Sequence, residues 1–232
     1  MAFAFSPSNM MTFKACPRKF WGQSISKLIK WTPSKQKSRG TFLHEAIQDS
    51  LRDFSKLAEV RKDTQIDMGF TEQCVSYVHR QLMGDYTLCI EHEMAMTKDG
   101  KKTGWFDDNC FLRAKADAIL LPPLDKYPTL PVVVIDIKTG KNYGDTLQLR
   151  TEALLAHILY GRSHVRWEYW YVDQGESVTQ LIDFGFGLTL VQDVYDTIKE
   201  MSLAMRNNDF PCTPNRFCRW CDFNKTDNCD VR

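Results

Sequence analysis

Residues 132–140 read VVVIDIKTG and place an acid and a base two positions apart at the end of an apolar run. The four apolar residues 132–135 predict a strand that is buried on both faces. Asp136 and Lys138 alternate with Ile137, so on a strand both charged side chains point to one face. The pattern is suited to metal binding and phosphate chemistry, or to a simple ion pair.

A second acid, Asp117, lies in the preceding apolar run, RAKADAILL. Neighbouring strands are about 4.8 Å apart, so Asp117 and Asp136 can converge on one hard cation such as Mg²⁺ or Mn²⁺. Magnesium keeps several waters, one of which can become a nucleophile, and Lys138 could position it or stabilise a charged phosphate. The alternative is a local ion pair of Asp136 with Lys138, which the D-x-K triplet alone favours because it is common by chance.

The elements that must position these residues follow from periodicity, caps and turn signals. Helices are predicted at about 7–20, 40–60, 65–83, 144–161 and 187–206, and strands at about 87–96, 110–121 and 131–138. Two further strands form a predicted hairpin across Gln174-Gly175. Residues 22–39 are expected to be a loop or a short lid. This order predicts a single α/β domain.

The charge distribution is uneven along the chain. Residues 1–44 contain eight of the 30 Lys and Arg residues and none of the 29 acidic residues. A basic lobe on an acidic body favours a polyanionic partner, and aromatic residues between the cations suit stacked bases. The other interpretation is a solvated helix surface whose aromatic residues belong to the core. The predicted DNA contacts are Lys14, Arg18, Lys19, Trp21, Lys35, Lys37 and Arg39.

Targeting signals are not apparent. The sequence has no run of 18 apolar residues, and its first residues lack the pattern of a signal peptide. We therefore expect a cytoplasmic protein of a bacterial, archaeal or phage-infected cell, without a membrane partner. In that compartment eight cysteines argue against a disulfide framework.

The arrangement resembles the PD-(D/E)XK nuclease superfamily, specifically its RecB-like branch. That core runs helix, three strands, helix, strand, and it corresponds to residues 40–173. The resemblance implies a restriction-endonuclease-like αβββαβ core, a mixed sheet flanked by helices. The matching motifs are Gly40-x-x-x-His44, the strand acid Asp117, the Asp136-Ile137-Lys138-Thr139-Gly140 run and Gln148.

The resemblance also implies roles for these residues. His44, Asp117 and Asp136 would bind Mg²⁺ or Mn²⁺ together with the Ile137 carbonyl. Lys138 would assist the nucleophilic water, and Gln148 would orient the site. The family pattern Q-x-x-x-Y departs here at its last position, which is Glu152. That difference puts the role of the family tyrosine in question and does not concern the metal ligands.

Cysteines near the two chain ends form a second motif set. Cys218 and Cys221 make a C-x-x-C pair, Cys229 follows, and Cys16 lies in ACPRKFW. Members of the same branch with one early and three late cysteines, including CRISPR-associated RecB-like exonucleases and the nuclease part of AddB, hold a [4Fe–4S] cluster. The resemblance implies a structural cluster here that joins the terminal parts. Zn²⁺ in the same thiolates is the alternative. Cys212 is treated as a bystander, with its exchange for Cys218 as the other possibility.

These observations predict one nuclease domain over 1–232, with a basic helical lobe at 1–39, a core at 40–183 and a C-terminal helix with the cysteine cluster at 184–232. The expected activity is metal-dependent exonucleolytic hydrolysis of DNA, on single-stranded ends, in recombination, repair or CRISPR-type end processing. The alternative is a catalytically weak DNA-binding adaptor in a larger complex. No helicase P-loop occurs, so a motor would be a separate partner, and an oligomer is compatible with the sequence.

Overall fold

The computed structural model describes residues 3–28, 35–141, 144, 146–216, 218–221, 223 and 229, with the backbone alone for 35–38 and 220. The helices are α1 (Pro7–Ala15), α2 (Pro17–Phe20), a π-helix (Trp21–Ile25), α3 (Lys35–Arg52), α4 (Leu57–Val60), α5 (Met68–Met83), α6 (Leu147–Tyr160) and α7 (Gln192–Asn207). The strands are β1 (Thr87–Met96), β2 (Leu112–Leu121), β3 (Val132–Lys138), β4 (His164–Tyr171) and β5 (Glu176–Asp183).

The five strands form one mixed sheet in the order β1-β2-β3-β4-β5. Only the β3–β4 pair is parallel, and α6 is the helix that crosses over between these two strands. The other neighbours are antiparallel and connect directly along the chain. A parallel pair requires such a crossover, so the sheet is an α/β sheet with helices on its faces.

Each face of the sheet has its own hydrophobic core. On β3, Val132 and Val134 pack into a core that includes α1, α6 and α7 residues. Val133, Ile135 and Ile137 pack into the opposite core, with residues of α3, α4 and α5. Both faces of β3 are therefore covered, as its continuous apolar run predicted. A charged residue at the end of this strand is enclosed between layers of packed helices.

The predicted α/β class and most predicted elements are confirmed, with differences at three places. The predicted helix at 40–60 is interrupted after Arg52, where Asp53 has an extended backbone and α4 begins only at Leu57. The first predicted helix is broken at Cys16, whose extended backbone (φ −166°) separates α1 from α2. The predicted loop at 22–39 is partly wrong, because it contains most of the π-helix and the start of α3. No helix among the described residues is both long enough and apolar enough to cross a membrane.

An ion-pair cluster ties the start of α3 to the loops that follow β3 and β4. The Arg39 guanidinium donates to Asp63 (Nε–Oδ2 2.7 Å) and to Asp173 (Nη2–Oδ1 2.8 Å). Asp173 also accepts from the Gly140 backbone N–H at 2.8 Å. Gly140 has φ +97°, a conformation that glycine adopts without strain. The cluster therefore fixes the loop directly after Lys138.

Arg39→Ala is expected to lower the free energy of unfolding by about 2–3 kcal/mol, because two carboxylates lose their common donor. The melting temperature should fall by about 5–10 °C. Arg52→Ala is the matched control, since its ion pair with Asp49 is exposed and contributes little.

The same cluster predicts a pH dependence. Hydrogen bonds from Arg39 lower the pKa of Asp63 in the folded protein. Its stabilisation is therefore complete above the ordinary aspartate pKa of about 4 and is lost as the pH falls through the lowered value. The difference in melting temperature between wild type and Arg39→Ala should shrink below about pH 4. A difference that stays constant from pH 7 to pH 3 would contradict this assignment.

Candidate active site

The site lies where β2 and β3 stop pairing. Their antiparallel register joins Leu120 to Val133 and Ala118 to Ile135, and it ends there. One further step would set Asp117 opposite Asp136. Instead, the Asp117 carboxylate accepts from the Ile137 backbone N–H (Oδ2···N 2.7 Å). The two strands thus separate at the position where each carries an acid, and the acids predicted from sequence come together.

A side-chain network connects this acid pair to α6. The Lys138 ammonium is 2.7 Å from Asp136 Oδ2 and donates to Gln148 Oε1 at 2.9 Å. The Gln148 amide nitrogen donates to Asp136 Oδ1 and, at 3.0 Å, to Glu152 Oε1. Gln148 and Glu152 are one helical turn apart and therefore share a face of α6. Lys138 also lies 5.2 Å from the centre of the Tyr169 ring.

Burial and the close spacing of carboxylates determine the electrostatics of the network. Burial raises the pKa of Asp136, which is 2% exposed, although the adjacent Lys138 opposes the shift. Burial followed by the charge of Asp136 raises the pKa of Glu152 well above its usual range. Burial would lower the pKa of Lys138, but the carboxylates outweigh it and the net shift is upward. Acidic groups outnumber cations here, so a bound cation would relieve their repulsion.

His44 reaches the acids from α3. Its Nδ1 is 3.3 Å from Asp117 Oδ2. Burial would lower the pKa of His44, but the contact with Asp117 outweighs it and raises the value. A side chain at Gly40 would come within 3.2 Å of the Thr139 hydroxyl oxygen, so the glycine permits the close approach of α3 to the loop after β3.

Glu152 was missed as a site residue by the sequence interpretation. Its side chain is fully buried in the network, and Oε2 has no hydrogen-bond partner among the residues described. The departure from the family Q-x-x-x-Y pattern was the available signal. It marked the position without indicating that a carboxylate would contact Gln148.

Glu91, on β1, was left out of the predicted site. The β1–β2 pairing joins Ile90 to Ala118 and His92 to Ala116 and skips Glu91, whose backbone has φ +52°, which is uncommon for a residue other than glycine. Glu91 accepts from Gln48 Nε2 at 2.6 Å and forms an ion pair with Lys115. The strand alternation of Glu91 and Glu93 could not distinguish a site residue from a solvated one, because the left-handed backbone interrupts it.

The donor set fits a hard divalent cation. Asp117 and Asp136 offer carboxylate oxygens, and Mg²⁺ is commonly held by one or two carboxylates with several waters. Within the described ranges, no three His, Cys, Asp or Glu side chains are already drawn together as a metal-binding group. The predicted ligands His44, Asp117, Asp136 and Ile137 are nevertheless neighbours in the structure.

The predicted cysteine ligands come together in the structure. A cavity of about 70 Å³ is lined by Cys16, Cys212, Cys218, Cys221 and Cys229. Cys212 Sγ lies 3.1 Å from Cys229 Sγ, so the supposed bystander belongs to the same cavity. The Thr213 N–H points to Cys16 Sγ at 3.5 Å.

The predicted DNA-binding residues have different surroundings. Lys19 lines the cysteine cavity, and Arg18 lies over the Trp21 ring at 5.5 Å. Trp21 packs beside Phe223, while Lys14 is exposed on α1. The Arg39 guanidinium is engaged by the two carboxylates described above. The side chains of Lys35 and Lys37 lie outside the described part of the structure.

The chain belongs to the PD-(D/E)XK nuclease superfamily, whose family model matches residues 4–226. Its mixed five-stranded sheet flanked by helices agrees with the restriction-endonuclease-like fold. A solved structure described as "Crystal structure of SSO0001" is 14% identical, with 97% of this chain and 85% of that chain covered and a TM-score of 0.38. That similarity supports no functional conclusion. No curated protein matches the chain.

Glu152→Leu is expected to stabilise the protein while it slows the reaction. Leucine replaces a buried carboxyl that lacks a partner at Oε2, which should add about 1–3 kcal/mol to the unfolding free energy. Gln148 then loses one of the contacts that orient its amide, and nuclease activity should fall about tenfold. Thermal melts and initial rates check both effects. A destabilised variant with unchanged activity would contradict the assigned role.

Proposed function

We propose that this protein is a divalent-metal-dependent nuclease that hydrolyses phosphodiester bonds of DNA, as an exonuclease on single-stranded ends. The observation that carries the proposal is the meeting of Asp117 and Asp136 where β2 and β3 separate, with Lys138 beside them. Superfamily membership supports nuclease activity in general. The preference for ends, the preference for single strands and the pathway are the finer parts of the proposal.

In the proposed mechanism Asp117, Asp136, the Ile137 carbonyl and His44 would hold a divalent cation. When bound, Mg²⁺ or Mn²⁺ supplies Lewis-acid activation of water and of the phosphoryl group. Lys138 keeps its proton, because the surrounding carboxylates raise its pKa, and so it brings a positive charge to the reacting phosphate. Gln148 holds the Lys138 ammonium through Oε1 and Asp136 through its amide nitrogen. The network thus presents the ammonium and the carboxylates in one fixed arrangement.

End-labelled single-stranded and double-stranded DNA, incubated with Mg²⁺ or Mn²⁺ and with EDTA, tests this function. We expect metal-dependent release of short products from single strands and their absence in EDTA. A circular single strand should persist if ends are required. Folded protein that binds DNA but releases no product with either metal would instead support the adaptor function.

We further propose that Cys16, Cys218, Cys221 and Cys229 hold a [4Fe–4S] cluster of structural function, as in the RecB-like branch. The shared cavity of these cysteines supports this, because it brings an early cysteine to the three late ones. Four thiolates suit an iron–sulfur cluster or Zn²⁺. Anaerobic purification followed by iron, sulfide and zinc analysis separates the two. Colourless protein with one equivalent of zinc would overturn the cluster assignment.

A further inference from the structure

The turn between β1 and β2 borders a path that leads away from the acid cluster. An inner groove of about 590 Å³ begins at Gln148 and Glu152 and is bordered by Lys115, Arg113 and Trp105. An outer groove of about 730 Å³ continues from Arg113 and Trp105. The same two residues line both grooves, so the grooves are neighbours on the surface.

The basic N-terminal lobe borders both grooves. Pro7 and Met11 of α1 line the inner groove, and Asn9 of α1 lines the outer groove with Ile25 and Lys27. The two grooves together therefore extend from the acid cluster along the lobe that carries the chain's first cations. A flexible polymer could lie along both grooves.

The junction carries two aromatic rings around one cation. Arg113 Cζ lies 4.8 Å from the centre of the Trp105 ring and 6.0 Å from that of Phe106. Arg113 also donates to the Trp105 carbonyl at 2.7 Å, which holds the guanidinium in place. Phe106 is 88% exposed and borders the outer groove, so its ring is available to a ligand.

The turn that presents Phe106 is held by its own hydrogen bonds. Asp107 accepts from the Gly104 N–H at 2.7 Å and from the Thr103 hydroxyl at 2.9 Å. A side chain at Gly104 would come within 2.7 Å of the Asp107 carboxylate, so the turn requires a residue without one. These bonds direct the Asp107 carboxylate into the turn. Phe106 is thereby pre-organised, which reduces the entropy lost on binding.

We propose that Phe106, with Trp105 and Arg113, is a stacking platform for the bases of a single-stranded nucleic acid that runs through the two grooves. This rests on the proposed nuclease function and adds a binding site to it. Aromatic rings and arginine stack on any base, and the bases must be free of a duplex to reach them. Lys27 and Arg113 add positive charge for the phosphates, whereas Lys115 is paired with Glu91.

The test measures binding of a fluorescent oligothymidine by anisotropy, in an Asp136→Asn background that leaves the strand intact. Phe106→Ala should weaken binding about tenfold, because alanine removes the stacking surface. Phe186→Ala is the matched control, since Phe186 is 90% exposed on the short helix after β5 and should change nothing. An abasic strand of equal length should bind Phe106→Ala and its Asp136→Asn parent equally.

The salt dependence provides a second measurement. Phe106→Ala should leave the slope of log affinity against log salt unchanged, because phenylalanine neutralises no phosphate.

Equal affinities of Phe106→Ala and its parent for oligothymidine, or an equal loss on the abasic strand, would overturn the platform. If wild type still degrades DNA in that case, the nuclease proposal stands without it. If wild type neither binds nor degrades DNA, both proposals fail.

Discussion

Asp136→Asn is expected to reduce metal-dependent DNA hydrolysis by about 1,000-fold or more while the protein stays folded. The change removes one of the two carboxylates that meet at the β2–β3 opening, and with it a ligand of the proposed cation. Burial already raises the pKa of Asp136, so a neutral amide of the same shape should not destabilise the fold. Initial rates on end-labelled single strands, beside thermal melts, measure both quantities.

Lys138→Ala should reduce the rate by about 100- to 1,000-fold, as expected for the loss of one electrostatic donor to the reacting group. Asp196→Asn, an exposed acid on α7, is the control and should leave the rate unchanged. A variant of Asp136 that retains even a tenth of the wild-type rate would remove this residue from the metal site. The nuclease assignment would then require another set of carboxylates.

The convergence of the acids could be predicted from the sequence because it depends on short-range rules. Asp136 and Lys138 share a strand face by alternation, and Asp117 lies on the strand that precedes theirs in the chain. Val132 and its neighbours identify that strand as buried. The sequence did not predict the register of β2 on β3. This register places the two acids one step beyond the last residue pair of these strands.

The rest of the site depends on packing between distant parts of the chain. Glu152 became a site residue only because α6 turns its Gln148 face toward β3. Arg39 was expected to contact DNA, but its partner Asp173 lies 134 residues away and no local pattern connects them. Glu91 has a left-handed backbone within β1, which strand alternation does not predict.

The cysteine cavity is lined by residues from both ends of the chain. The stabilisation expected from a cluster bound there follows from this arrangement. The backbone N–H of Arg18 donates to the Pro211 carbonyl at 3.2 Å, and the Asn215 side chain donates to the Ala15 carbonyl at 2.9 Å. Both contacts join segments about 200 residues apart. A cluster held by Cys16 and Cys218 would close a loop of that length, where a cross-link restricts the unfolded chain most.

Cys16→Ala is therefore expected to lose the iron and to lower the melting temperature of the anaerobically purified protein by about 10 °C. The loop-closure model assigns up to about 5 kcal/mol to a cross-link of this length, part of which the remaining contacts retain. Cys89→Ala, at a half-buried cysteine on β1, is the matched control and should keep iron, sulfide and most of the stability.

Cys212→Ala distinguishes a ligand from a neighbour within the same cavity. With Cys16, Cys218, Cys221 and Cys229 as ligands, this variant should retain the full iron and sulfide content. Loss of the cluster from Cys212→Ala, together with its retention in Cys229→Ala, would exchange these two residues in the ligand set, which their 3.1 Å sulfur separation would allow. Unchanged metal content and melting temperature in Cys16→Ala would show that the early cysteine is no ligand. The two ends of the chain would then be joined by protein contacts alone.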